Sequence, residues 1–339
     1  MIFRPRTAVA AALTALVVLA GGALAGCGSS ADDAATLTLY SGRIAPIIGP
    51  AIEQYEAASG VDVRVRYGDS PSLAAQLAEE RGNTPADVFF AQDAGSLDAV
   101  EKRGLLAPLP REVLALVPRQ FRSVGGRWVG VTGRSRVIAY GPDVETSELP
   151  DSPLDLTEAH WRGRVGWAPT NASLQAYVTA LRLVEGEDVA REWLEGMVAN
   201  DTKSYEGNIP VRDAIAEGEI DVGLINHYYV AEAAAEDPDY PVKVHFPPED
   251  LGSLVNVSGV GILASSENKR EAIGFVRAML SDQAQTYFAE SSKEYPLISS
   301  VEPPEELTPL REIPSPNIDL AKLGDLPGTL KLMRETGAL

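Results

Sequence analysis

The chain has a single cysteine, only 6% aromatic residues, and few basic residues relative to acidic ones. One thiol cannot form an internal disulfide, so packing must stabilise the fold. With 29 Lys and Arg residues against 48 Asp and Glu residues, the net charge of −19 disfavours sequence-independent binding to nucleic acid. The 45% hydrophobic and 23% charged residues exclude collagen-like, disordered and multi-span membrane classes. At about 150 residues per domain, the 339 residues predict two folded units.

Motifs of several common enzyme classes are also missing. The sequence has no nucleotide-binding P-loop, dinucleotide fingerprint, metalloprotease helix or nucleophile elbow. Among its three histidines (His160, His227 and His245), no pair has metal-ligand spacing, so we interpret them as structural. No nucleophile and base stand out, and an enzyme is therefore the less favoured class.

The N-terminal segment has the pattern of an export signal. Two arginines precede an apolar run at residues 8–20, and small residues precede Cys27. Residues 24–27 resemble a bacterial lipoprotein signal, in which the leader is removed and the cysteine is lipidated. We expect residues 1–26 to be a signal peptide and residues 27–36 to be the lipidated cysteine with a polar tether. A short transmembrane anchor is the alternative, but the apolar run is short for spanning.

Strand and helix patterns alternate through the next part of the chain. Three strand patterns are separated by helical ones, at residues 36–42, 61–68 and 86–92. This β-α-β-α-β order predicts a mostly parallel sheet with helices on both faces. Ligands of such sheets bind at the carboxyl ends of the strands. Here those ends are residues 40–43, 67–70 and 91–94.

A second α/β series lies between two strand patterns that are apolar on both faces, at residues 127–141 and 254–265. Its predicted elements are a strand at 220–226 and helices at 172–184, 189–199, from Asn208 onward and at 227–236. We predict an α/β fold of two lobes, each with a mixed, mostly parallel sheet flanked by helices, joined by two crossover strands. The predicted first lobe is 37–133 plus 256–309, and the second is 134–255 plus 310–339. The ligand is expected in the cleft between them.

The segment Asn226–Tyr229 ends a predicted strand and begins a helix. Neighbouring side chains in the first turn of a helix lie about 100° apart, so Tyr228 and Tyr229 can reach one ligand. We expect Asn226 to cap the helix, whose free amide groups favour negative charge. A phenol ordinarily loses its proton near pH 10, so two phenolates at neutral pH require a strong Lewis acid such as ferric iron. From these residues alone, packing aromatics remain the alternative.

Two other helix starts and several arginines have the chemistry to hold an anion. Asn171 and Ser173 begin one predicted helix, and Asn208 is expected to cap another. Both helix starts could bind an anion, and the alternative is that these residues only cap their helices. Three arginines at a strand end and in the first crossover could neutralise an anion in the cleft, unless they are solvated surface residues: Arg43, Arg134 and Arg136.

Seven segments carry the pattern of one family: LTLYSGR, RYGDSPSLAAQLAEERGNTPADVFFAQDAGSL, WVGVTGRSRVIAY, GRVGWAPTNASLQ, AIAEGEIDVGLINHYY, LVNVSGVGILASSENKREAIGFV and EYPL. In these segments the chain resembles the ferric-ion-binding proteins, or bacterial transferrins, which are the substrate-binding components of iron ABC importers. The resemblance implies a two-lobed type II periplasmic-binding-protein fold. It also implies that two adjacent tyrosines bind ferric iron in the cleft together with a small anion, carbonate or phosphate.

The resemblance makes Tyr228 and Tyr229 the expected metal ligands. It implies that the anion is bound by residues matching the family's anion contacts: Asn171, Ala172, Ser173, Asn208 and Asn226, with Arg43 and Arg134 similar to arginines that hold carbonate. Other family ligands are missing, since Ile44 stands where some members have histidine and Gln92 where some have glutamate. Gln92 and its neighbour Asp93 remain candidate ligands. Two phenolates cannot fill six coordination positions, so anions or water must supply the rest, or the cargo is a ferric chelate.

The sequence thus predicts a monomeric, extracytoplasmic lipoprotein of the cell membrane that captures Fe3+ with an anion and delivers it to an ABC permease with its ATPase. Nucleic acid is not expected as a partner, and no reaction is expected to be catalysed. One alternative keeps the fold but binds a small organic cation or a phosphonate, with the tyrosines as an aromatic wall. Another is a surface enzyme with an unrecognised active site.

Overall fold

The computed structural model describes residues 35–248, 251–316 and 318–339. The predicted signal peptide, Cys27 and nearly all of the tether lie outside the described residues. The described strands are β1 Thr36–Ser41, β2 Asp62–Tyr67, β3 Val88–Ala91, β4 Trp128–Tyr140, β5 Val165–Trp167, β6 Lys203–Ser204, β7 Val222–Asn226, β8 Lys243–His245, β9 Val255–Ile262 and β10 Tyr295–Pro296.

The described helices are α1 Ala45–Ser59, α2 Ser70–Glu80, α3 Ala94–Glu101, α4 Arg111–Leu114, α5 Ala172–Val184, α6 Glu187–Ala199, α7 Asn208–Ala216, α8 Tyr228–Glu236, α9 Lys269–Met279, α10 Asp282–Ser291 and α11 Leu326–Glu335. None of these described helices combines the length and the apolar character needed to cross a bilayer.

The ten described strands form one mixed sheet in which β4 is shared by two halves. The order is β2-β1-β3-β9-β4-β7-β5-β6, and β10 and β8 also pair with β4. Strand β4 pairs with β9 and β10 up to Ser135, and with β7 and β8 from Arg136 onward. We call β1, β2, β3, β9 and β10 the first half-sheet, and β5 to β8 the second half-sheet. Strand β1 pairs with β2 and β3 in parallel, and β5 pairs with β6 and β7 in parallel. Every pairing that involves β4 or β9 is antiparallel.

The carboxyl ends of β1, β2 and β3 lie together, as the strand pattern predicts. The Gly42 N–H donates to the Phe90 carbonyl (2.7 Å), and the Gly68 N–H donates to the Ser41 carbonyl (3.1 Å). A Cβ atom on Gly42 would overlap the Ser70 hydroxyl, so the close approach of these two loops requires glycine. The tight crossing fixes the chain just before Arg43 at the strand ends.

Two helices absent from the sequence predictions tie the C-terminal segment to the body. Helix α3 is buried on almost all sides and so shows no amphipathic period. A Cβ atom on its Gly95 would overlap the Leu323 carbonyl, which shows how closely the C-terminal segment approaches it. Helix α11 packs on α5, where the Thr329 and Thr179 hydroxyls are 2.7 Å apart.

Candidate functional site

Tyr228 and Tyr229 are the first two residues of α8, directly after the junction with β7. Their ring centroids are 4.2 Å apart, with an angle of 36° between the ring planes. Tyr228 is 1% exposed and Tyr229 is half-buried. The two rings therefore lie side by side, which is the arrangement that a helix start allows.

The junction before the tyrosines is held differently from the sequence expectation. Helix α8 has no side-chain cap, so the prediction that Asn226 caps it is wrong. The Asn226 amide instead donates to the Ser173 hydroxyl (3.1 Å) and accepts from the Arg136 guanidinium (3.2 Å). The reason is the strand register, which places Asn226 opposite Arg136 and directs the amide across the sheet.

His227 anchors the same junction with both ring nitrogens. Its Nδ1 accepts the Ser135 N–H (3.2 Å), and its Nε2 lies 2.9 Å from the Lys293 carbonyl. Its ring stacks on Tyr295 with centroids 4.5 Å apart. Burial lowers the pKa of His227 to about 4, so the ring is neutral at pH 7, with Nδ1 as the acceptor and Nε2–H as the donor.

A buried ion pair that sequence reasoning missed lies beside the tyrosines. The Arg43 Nη2 is 2.7 Å from the Glu294 Oε2, and their side chains are 3% and 1% exposed. The Thr132 hydroxyl donates to the same carboxylate oxygen (3.1 Å). The only sequence signal for Glu294 was its place in the EYPL segment, an acidic residue next to a short apolar strand.

The charges of these buried groups act on one another. Burial alone would lower the pKa of Arg43, but the Glu294 carboxylate and, when ionised, the Tyr228 and Tyr229 phenolates together raise it. Burial lowers the pKa of Arg134, and the nearby Arg43 adds to this effect, while Tyr228 and Glu294 oppose it. The candidate site thus combines two guanidinium groups, one carboxylate and two phenols.

The state of the Tyr228 phenol follows from this environment. Burial and the neighbouring Tyr229 raise the pKa of Tyr228 well above its ordinary value, although Arg43 and Arg134 act in the opposite direction. The phenol is therefore protonated at neutral pH in the metal-free protein. A trivalent cation close to both oxygens would reverse this preference, because the field of a bound cation favours the phenolate.

The anion candidates differ in whether their polar atoms are engaged. Asn171 caps α5, accepting the Ser173 N–H (2.9 Å), as in the alternative interpretation of this helix start, and Ala172 is the first residue of that helix. The prediction that Asn208 caps α7 is wrong, because Gly207 occupies the cap position. Asn208 is 2% exposed, and both its amide atoms lack a hydrogen-bond partner among the described residues.

Arg134 is the other anion candidate with unengaged atoms. Its side chain is 1% exposed, and none of its three guanidinium nitrogens has a hydrogen-bond partner within the described ranges. Arg136, by contrast, donates to the Leu224 carbonyl (2.7 Å) as well as to Asn226, and burial lowers its pKa to about 10. Arg134 is therefore a buried cation with free donors, whereas Arg136 is engaged in the sheet.

The first-lobe candidates near the third strand differ in whether their side chains are engaged. Asp93 caps α3, accepting the Ser96 N–H (2.7 Å) and the Ser96 hydroxyl (2.9 Å), and burial raises its pKa. Gln92 is half-buried, with its N–H bonded to the Ser70 hydroxyl (2.7 Å), and Ile44 is 60% exposed. Within the described part of the chain, no three His, Cys, Asp or Glu side chains are grouped to hold a metal ion.

Comparisons with known proteins show which sequences and folds this chain is similar to. A family model described as bacterial extracellular solute-binding protein matches residues 37–291. The chain is 33% identical over 334 residues to a Fe(3+)-binding periplasmic protein of Serratia marcescens, and the match covers 97% of each. The solved structure of iron-bound HitA from Pseudomonas aeruginosa has a TM-score of 0.85 and 36% identity, covering 89% of this chain and 99% of that one. A Trichodesmium protein (IdiA, FutA), solved with iron and citrate ligands, has a TM-score of 0.77 and 30% identity, with the same coverage.

Proposed function

We propose that this chain captures ferric iron outside the cytoplasm. It belongs to the bacterial extracellular solute-binding proteins. Within them it belongs to the ferric-ion-binding proteins, which have a type II periplasmic-binding-protein fold. The metal is held by the phenolate oxygens of Tyr228 and Tyr229. The observation that carries this proposal is the side-by-side packing of these two rings at one helix start, next to buried arginines.

The charges of the site favour iron with an anion over an organic cation. A cation alone would lie close to Arg43 and Arg134, which repel it. Together with the Glu294 carboxylate, two phenolates and a divalent oxyanion offset the ferric charge and the two guanidinium groups. Because two phenolates leave four of six positions, the anion and water complete the coordination, or a ferric chelate is the cargo. The anion contacts are the unengaged groups of Arg134 and Asn208, supported by Arg43, Asn171, Ala172, Ser173 and Asn226.

Membership in a transport family supports delivery of the bound solute to a membrane permease, and the remaining features are part of the same proposal. We propose lobes at 37–133 plus 256–309 and at 134–255 plus 310–339, which close on the iron. The protein is a monomer anchored through lipidated Cys27, binds no nucleic acid, catalyses no reaction and delivers iron to an ABC permease with its ATPase. The lipoprotein pattern around Cys27 supports the anchor.

The test is the visible spectrum of the protein loaded with iron. Residues 28–339 are purified, stripped with a chelator, and titrated with ferric chloride in bicarbonate, phosphate or citrate. Phenolate bound to ferric iron absorbs visible light, so a coloured complex with one iron per chain is expected. Tyr228→Phe should lose at least about tenfold in iron affinity, since one charged metal ligand is removed.

Tyr295→Phe is the matched control. Tyr295 is also buried close to the junction, and its hydroxyl has no hydrogen-bond partner among the described residues, so its loss should leave iron binding and the spectrum unchanged. Equal iron affinity in Tyr228→Phe and the wild type would overturn the assignment of the metal site.

A further inference from the structure

A cavity of about 520 Å³ lies along α8, on the side of the helix away from Tyr228 and Tyr229. The helix and the residue before it line the cavity with one stripe of spacing i, i+3, i+4, i+7 and i+8: His227, Val230, Ala231, Ala234 and Ala235. At about 100° per residue, this stripe lies on the far side of the helix from the two tyrosines. The volume is within the range of about 300–1,000 Å³ that small-molecule sites have. The candidate iron site and this cavity therefore use different faces of one helix.

The facing walls of the cavity come from both half-sheets. Strand β8 and the residue after it contribute Val244 and Phe246, and the end of β4 contributes Tyr140. Tyr295 of β10 and the later residue Leu307 form the other side. Three of the thirteen lining residues are Phe or Tyr, although aromatic residues are only 6% of the chain. Such walls favour an aromatic ring as the occupant, because rings pack edge to face or offset against one another.

The Tyr295 hydroxyl is a buried donor that lacks an acceptor. Tyr295 is fully buried, and its hydroxyl has no hydrogen-bond partner among the residues that the structure describes. Burial raises the pKa of this phenol, so it keeps its proton at neutral pH. Both ring nitrogens of the neighbouring His227 are already engaged, so His227 offers no acceptor. An unsatisfied buried donor is costly, and an oxygen atom of a ligand at this end of the cavity would satisfy it.

The charges of the cavity walls favour an anion. Two lining residues carry a charge at pH 7, Lys243 and Glu306, since burial keeps His227 neutral. The Glu306 carboxylate is already paired with the Lys293 ammonium at 2.7 Å. The exposed Lys243 ammonium, by contrast, has no hydrogen bond or ion pair with any described residue. One positive charge thus stays available, and a carboxylate on the occupant would pair with it.

We propose that this cavity is a second ligand site, which binds a small aromatic carboxylate. The ring packs between the α8 stripe and the aromatic walls, and the carboxylate pairs with Lys243. The site goes beyond the ferric function proposed above, because none of its lining residues is assigned to the iron or to its anion. An organic cation is disfavoured by the free ammonium group.

The test uses 4-fluorobenzoate as the probe. Metal-free protein of residues 28–339 is titrated with this compound, and binding is followed by 19F NMR. We expect saturable binding of one molecule per chain. The neutral 4-fluorobenzamide has nearly the same shape and should bind at least about tenfold more weakly, because it cannot form the charge-assisted bond.

Two variants locate the bound probe in the cavity. Lys243→Gln should weaken binding of 4-fluorobenzoate about fivefold or more and leave 4-fluorobenzamide unaffected, whereas Lys331→Gln, at a side chain that is 77% exposed, should bind as the wild type does. Ala234→Trp fills the cavity from an exposed position of α8 and should abolish binding of both probes. Ala57→Trp, at an exposed position of α1, is its matched control.

Absence of saturable binding to the wild type would overturn the proposal, as would wild-type affinity for 4-fluorobenzoate in folded Ala234→Trp. Equal affinity for the two probes would overturn the carboxylate assignment. Urea unfolding checks that each variant folds, and if Ala234→Trp does not, unchanged 4-fluorobenzoate affinity in Lys243→Gln is the contradicting result. Failure of the ferric function gives a different outcome, a colourless wild type with iron, and the titrations of metal-free protein still decide this proposal.

Discussion

Glu294→Gln tests the buried ion pair that links the loop after β1 to the loop before β10. The substitution keeps the shape of the side chain and an oxygen for the Thr132 hydroxyl, but it removes the charge opposite Arg43. At the 2.7 Å separation, the Coulomb attraction is about 6 kcal/mol for an effective dielectric constant near 20. Desolvation offsets part of that attraction in the folded protein, but the variant leaves Arg43 buried beside Arg134 without its counter-charge.

Breaking a buried pair from one side costs about 3–5 kcal/mol, and the retained hydrogen bonds place Glu294→Gln near the lower value. With a denaturant slope of about 3 kcal/mol per molar urea, the unfolding midpoint should fall by roughly 1 M. The assay is urea unfolding of the metal-free protein, followed by tryptophan fluorescence.

The control is the exposed pair Arg64–Asp62, whose side chains are 72% and 53% exposed. Asp62→Asn should change the free energy of unfolding by less than about 0.5 kcal/mol, because solvent screens this pair. Replacing both buried partners, as Arg43→Met with Glu294→Leu, should recover much of the lost stability. A shift for Glu294→Gln as small as that for Asp62→Asn would refute the reasoning.

Three further outcomes are expected. Iron loading should release two protons per iron from Tyr228 and Tyr229, so that the apparent affinity for iron falls about hundredfold per unit decrease in pH. A titration in weak buffer counts the released protons. Release of no protons would contradict binding through phenolates. Burial lowers the pKa of His227 to about 4, so the unfolded chain takes up a proton first as pH falls below about 6.5. The metal-free protein should therefore lose roughly 3 kcal/mol of stability between pH 6.5 and 4, and His227→Gln should lose less in urea unfolding. Gly95→Ala should lower the free energy of unfolding by about 1–3 kcal/mol, because the new Cβ atom would overlap the Leu323 carbonyl. Gly49→Ala is the control: a Cβ atom there meets nothing within 4 Å, so this variant should not lower the melting temperature.

Local patterns were sufficient for much of the fold. The predicted strands at 36–42, 61–68 and 220–226 are confirmed, and the helix predicted at 172–184 has those same bounds. Alternation and capping are properties of neighbouring residues, so a single segment contains the information. Helix α3 escaped prediction because burial on almost all its sides removes the helical period.

The candidate site also has features that local sequence determines and features that it does not. Sequence alone indicated that Tyr228 and Tyr229 lie next to each other at a helix start, because adjacency and the helical turn are local. Sequence also determined the acidic, cysteine-poor composition and the α/β order. Only the tertiary structure brought Glu294 to Arg43 and directed the Asn226 amide across the sheet instead of onto its helix. These pairings join residues about 90 to 250 positions apart in the chain, and strand register and loop packing, which no short segment encodes, decide them.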